Sequence, residues 1–213
     1  MKYIAISTIA LLGSLSGARG ADYYISNFSQ GPTDFLHADE FGNLLFGTNT
    51  IVTIGYFPSG FDLANNINNI PLLLESFLQQ ASSNVGINVN AAGPGNFPGY
   101  VDTVLIEGPI LSPGNALIGR MLYSFAGNNA VLKDATMVSL NEVTPFVADD
   151  PASNFYTTNP SGRQILIGNV TQITGDFGLG SGIHNRLQLV PIPEPSAALL
   201  SAIGVLGLLR RRR

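Results

Sequence analysis

What most constrains this chain is that its apolar runs are short and repeatedly cut by turn formers. Twenty-four glycines and thirteen prolines are spread over 213 residues, and segments of β-branched and aromatic residues lie between them. In IVTIGYF, running from Ile51 to Phe57, the residues Val52, Ile54 and Tyr56 share one face of an extended chain, while Thr53 and Gly55 take the other. That is the period of two expected of a half-buried strand. Comparable segments are residues 22–28, 85–91, 100–107, 116–125, 136–141, 163–168 and 183–190. Short strands bounded by Gly, Pro and Asn predict an all-β domain, and this many suffice for a β-sandwich.

One segment departs from that period. In NNINNIPLLLESFLQQASS, the residues Ile70, Leu73 or Leu74, Phe77 and Ala81 recur at spacings of three and four, and Pro71 sits where a first helical turn accepts it. A single helix of about ten to twelve residues is expected here, packed across a sheet edge or an open end. Asn65, Asn66, Asn68 and Asn69 read as its lead-in loop. Ser112-Pro113-Gly114-Asn115 carries Pro and Gly as a type II turn requires, which predicts a hairpin between the flanking strands. Residues 149–162 read as a long polar loop, and no fixed-period repeat or linker divides the body.

Charge narrows the partners. Of ten basic residues, Lys2, Arg19 and Arg210 to Arg213 lie near the ends. Arg120, Lys133, Arg163 and Arg186 remain against thirteen carboxylates between residues 21 and 189, a formal net charge of −9. A phosphate backbone needs a cluster of cations that releases counterions, so nucleic acid is not expected as a partner. There is no cysteine, which excludes disulfides and thiolate metal sites.

The two ends read as addresses. Lys2 precedes an apolar stretch from Ile4 to Leu15, and the small residues Ala18 and Gly20 stand at the positions that specify cleavage between Gly20 and Ala21. Residues 1–20 are therefore expected to be a secretory signal helix, removed by signal peptidase after engagement of the secretion machinery. At the other end, Pro193-Glu194-Pro195 is followed by an apolar run over residues 197–209 and then by Arg210, Arg211, Arg212 and Arg213. Thirteen apolar residues fall short of the roughly 17–25 that span a bilayer. The arginines would hold the helix with its basic end on the cytoplasmic side and snorkel to the interface.

This tail, residues 190–213, resembles the PEP-CTERM sorting signal of bacterial exported proteins, which also goes under the heading of an ice-binding protein C-terminal domain. The resemblance implies processing by an exosortase, an integral membrane protease-transpeptidase. It further implies transient anchoring in the inner membrane, then release or transfer to the cell surface among extracellular polysaccharide. ALIGRMLYSF followed by KDATMVSLNE also resembles segments common in exported proteins bearing this tail, and that likeness brings no activity with it. The chain thus divides into residues 1–20, a body over 21–189, and the sorting segment 190–213.

The body offers little catalytic chemistry. His37 and His184 lie in unrelated contexts, and a metal site built on either needs carboxylates from elsewhere. No G-x-S-x-G elbow is present. Asp39-Glu40 and Asp149-Asp150 are adjacent in sequence, while Asp102 and Glu107 are separated candidates for a glycosidase pair. Asp149, Asp150 and Asn154 are weak candidates for a structural calcium site, although no D-x-[DN]-x-[DN]-G pattern occurs. Tyr23, Tyr24, Tyr100 and Tyr156 could form a glycan platform or fill the core. The expectation is an exported, non-enzymatic structural or adhesive protein without a cofactor. The alternative is a secreted carbohydrate-binding module or glycan-active hydrolase.

Overall fold

The computed structural model describes residues 22–27, 35–87, 96–107, 120–145, 155–156, 163–177 and 181–193. The two terminal helices expected at 1–20 and 197–209 lie outside them. The described chain is mostly β, in three sheets.

The largest sheet is built from β3 (Gly47–Tyr56), β4 (Leu78–Val85), β6 (Met121–Gly127), β7 (Met137–Pro145) and β12 (Val190–Pro191), in the order β12-β7-β6-β3-β4. The short strand β9 (Ile165–Ile167) also pairs with β7. A second sheet has the order β5-β1-β8, from β1 (Asp22–Ser26), β5 (Asp102–Glu107) and β8 (Phe155–Tyr156). A third has the order β10-β11-β2, from β2 (Phe35–Ala38), β10 (Asn169–Asp176) and β11 (Ser181–Gln188), with β2 parallel to β11.

Alternation along β3 explains why the largest sheet is buried on both faces. Val52 and Ile54 point into one core, joined by Leu122, Ala126, Val143 and Ile25 of the second sheet, with Tyr56 packed against them. Ile51 points the other way, into a core closed by a helix and by Phe125, Val138 and Leu140. Thr53 shares that second face and is also buried, its hydroxyl donating to the Ala81 carbonyl at 2.6 Å. The face that the sequence assigned to polar residues is thus a second interior. Phe57, Phe61, Phe77, Tyr123 and Phe125 meet there edge to face or stacked, with centroids 4.9 to 6.4 Å apart.

The helical segment differs from expectation in number and length. A short helix α1 (Leu63–Asn66) precedes α2 (Ile70–Ser76), so two helices stand where one was expected, and part of the Asn-rich lead-in is itself helical. Asp62 and Asn69 cap them, accepting from the Asn65 and Leu72 amides, and Pro71 occupies the first turn of α2 as expected. The backbone turns extended at Phe77, and Ala81 belongs to β4. Its apolar spacing is shared by both periods, and pairing of β4 with β3 decides between them.

The turn of the hairpin expected at residues 112–115 lies outside the described residues, and the described parts of the strands on either side do not pair with each other. β5 pairs with β1, while β6 lies between β3 and β7 in another sheet. A turn signal fixes a local change of direction, and the partner of each strand is set by the cores. The strands β2, β4, β8 and β10 were not legible: β4 lies where the helix was expected to continue and ends at Val85, where a strand was expected to begin, and β8 lies within the segment read as a polar loop. The strand β10 follows Gly168, which adopts φ 126° and redirects the chain from the first sheet to the third.

Candidate functional site

The edge of the largest sheet at β7 is where the body meets the tail. Val190 pairs with Val138 and Pro191 with Met137, in the antiparallel sense. The Ile192 amide then donates to the Thr136 carbonyl at 2.8 Å. Val190 and Ile192 are half-buried against the second core, whereas Pro191 and Pro193 are exposed. The alternation is that of an edge strand with an apolar inner face. Prolines are tolerated there because an edge strand pairs on one side only.

The receiving loop between β6 and β7 is fixed by asparagines. Asn128 accepts from the Thr136 and Met137 amides at 2.9 and 3.0 Å and donates to the Thr136 hydroxyl at 2.9 Å. Asn129 accepts from the Val131 amide at 3.0 Å and donates to the Asp134 carbonyl. Leu132 of the 3-10 turn Leu132–Asp134 is buried in the second core. Beside Ile192 lies an open groove of about 320 Å³, lined by Pro71, Leu74, Glu75, Lys133, Ala135 and Ile192. Its floor is apolar and its rim carries one acid and one base.

Of the residues that the sequence singles out, Pro193 is described and exposed at this edge. Glu194, Pro195, the Arg210 to Arg213 cluster, Gly20, Ala21, Asp149, Asp150 and Asn154 lie outside the described residues. Asp102 and Glu107 are the two ends of β5, about 16 Å apart along the strand, too far for a glycosidase pair. Asp39 shapes a turn, its carboxylate accepting from the Phe41 and Asn43 amides at 2.9 and 2.8 Å and from the Asn43 side chain. Tyr100 is a core residue, 1% exposed beside Leu36. Tyr23 and Tyr156 are register partners in the β1–β8 pair, so two of the four tyrosines are neighbours across strands.

The histidines, remote in sequence, share one sheet. His37 on β2 stands beside Leu187 of β11, and His184 lies three residues earlier on β11, which places the two on opposite faces. Both rings are buried, and neither nitrogen of either finds a partner among the described residues. Burial lowers the His37 pKa to about 4. Among the described residues no group of three or more His, Asp or Glu gathers as a metal site. Nor is any described helix long and apolar enough to cross a membrane.

Sequence reasoning missed the docking of residues 190–192 on the sheet. The available signal was the alternation of Pro191, Pro193 and Pro195 with Ile192 and Glu194, a one-sided strand pattern. No protein-family model, curated protein or solved structure matches this chain.

Proposed function

We propose that this chain is an exported bacterial surface or matrix protein whose body is structural or adhesive and non-catalytic, and whose tail is a sorting signal. The observation that carries the reading is the order Pro193-Glu194-Pro195, apolar run, four terminal arginines. The prolines keep the segment extended and outside the apolar helix, where a membrane protease can bind it as a strand. The arginines orient the helix, so that the peptide is held at the outer face of the inner membrane. Processing breaks one peptide bond near the motif. Water or another nucleophile takes the acyl group, and the apolar tail leaves with a new amino terminus.

The body is read as a β-sandwich in which β5-β1-β8 covers one face of the largest sheet. Ile25 and Val101 in the first core support this arrangement. Its acidic charge suits a soluble component among extracellular polysaccharide. The test is the intact mass of the protein from its native host, with the culture divided into membrane, surface and released fractions. A surface or released species lacking the residues after about Pro195 is expected from a strand-binding protease. Full-length protein confined to the inner membrane would overturn sorting and leave an anchored body.

A second reading, a carbohydrate-binding module, draws on the register pairing of Tyr23 with Tyr156. Adjacent aromatic residues on a sheet can stack on sugar rings. Retention on immobilised host polysaccharide that Tyr23→Ala and Tyr156→Ala each abolish would favour it.

A further inference from the structure

We propose that this chain assembles head to tail, the ring of Phe41 from one copy seating in the groove beside Ile192 of the next. The inference goes beyond the sorting reading and does not depend on it.

The entering side is a turn that holds an aromatic ring away from its own fold. The Asp39 carboxylate accepts from the Phe41 and Asn43 amides, its carbonyl accepts from the Gly42 amide, and its own amide donates to the Asn43 carbonyl at 2.8 Å. Gly42, at φ 85°, closes the turn, and Arg186 of β11 donates to the Gly42 carbonyl at 2.6 Å. None of these bonds uses the Phe41 side chain, which is 81% exposed, more than any other large apolar side chain among the described residues. A lone exposed apolar residue is ordinary on a protein surface. A ring held out on a turn that is tied from both sides is a different case, because little freedom is left to lose when it docks.

The accepting side matches in size and chemistry. The groove of about 320 Å³ over Pro71, Leu74, Ala135 and Ile192 is at the low end of the range for binding sites, room for one aromatic side chain rather than for a helix. Its apolar floor suits a phenyl ring and would leave the hydroxyls of a sugar without partners. Charge sets the direction of entry. Glu40, next to the ring, and Lys133, on the rim, are both exposed, and neither side chain has a partner among the described residues. Entry with Glu40 beside Lys133 brings opposite charges together, and Glu75 on the same rim disfavours the reverse approach. An exposed ion pair adds little affinity, so the ring supplies most of it.

The two surfaces share no residue. The turn follows β2 in the third sheet, whereas the groove lies between α2 and the 3-10 turn at the second core. A contact between different patches is heterologous, so every bound pair keeps one free ring and one free groove, and the assembly grows. Burying one phenyl ring raises an association constant by roughly ten- to a hundred-fold, so growth follows the local concentration of the chain.

The chain's lysines make the contact readable, since Lys2 and Lys133 are the only two. A carbodiimide joins a carboxylate to a touching amine as an amide. Unlabelled and isotope-labelled full-length chains are mixed in a mild non-ionic detergent, treated with the reagent, and followed by gel and by peptide mass. The expected result is a link from Glu40 of one isotope to Lys133 of the other, with a ladder of dimer, trimer and longer species. Phe41→Ala, a change at an exposed position outside every core, is expected to lower the yield of that link roughly ten-fold. Absence of the link between copies overturns the contact. So does a link whose yield Phe41→Ala leaves unchanged, which would mark another part of the chain as what gathers the copies. A ladder that stops at the dimer overturns head-to-tail growth in favour of a reciprocal pair.

Discussion

Asn27 is fully buried, and its side chain is the point where separate sheets are tied. Its Nδ2 donates to the carbonyls of Phe35 and Gly99 at 2.6 and 2.8 Å, and its Oδ1 accepts from the Val101 amide at 2.8 Å. No neighbour in sequence announces this, because all three partners are backbone groups brought in by other elements. Asn27→Ala leaves those groups buried without partners and is expected to cost about 2–4 kcal/mol in urea unfolding. An unchanged midpoint would contradict the role. His37 is the opposite case, a buried polar ring without a partner among the described residues. Burial favours its neutral form, so the unfolded chain takes up a proton that the folded chain refuses. Stability should therefore fall as pH drops from 6.5 toward about 4 and be flat above that window. Between pH 6.5 and 5, before carboxylates contribute, the loss from this residue is about 2 kcal/mol. His37→Leu should flatten the dependence, and an identical pH slope in the variant would refute the assignment.

At the scale of elements, the positions of strands were more legible than their partners. The period of two in Ile51 to Phe57 and the Pro71 start of a helix both survive in the fold, since each depends on residues within one segment. Helix length did not follow, because Phe77 and Ala81 satisfy a helical spacing and a strand spacing alike. Gly55 helps to decide there, as a Cβ at that position would come within 2.6 Å of the Phe77 ring and collide with the Leu78 carbonyl. Gly168 matters in another way. It adopts φ 126°, and an added Cβ would lie 2.9 Å from Leu187 and 3.1 Å from Ser139. Gly168→Ala is expected to lower stability by about 1–3 kcal/mol, measured as a urea midpoint, by straining the link between β9 and β10. A variant as stable as wild type would mean that the link can take another path.

Across the whole molecule, the sorting reading makes a charge prediction. A chain from Ala21 to Pro195 holds four cations against fourteen carboxylates, a formal net charge of −10, whereas the full chain carries −4. The processed species should therefore focus at a more acidic position than the precursor, and identical focusing positions would contradict removal of the basic ends. By itself the sequence determined the β-rich class, the N-terminal turn of α2 and the acidic balance of the body. Each of these follows from composition or from residues within a few positions of one another. Only the tertiary structure decided that β5 and β6 part company, that Tyr100 is interior, that both histidines enter one sheet, and that residues 190–192 lie on β7 rather than apart from the body. Those outcomes depend on which surfaces exclude water together, and the strands involved come from distant stretches of chain. A strand's own residues give its period, whereas its neighbour is chosen by the core that the whole chain builds.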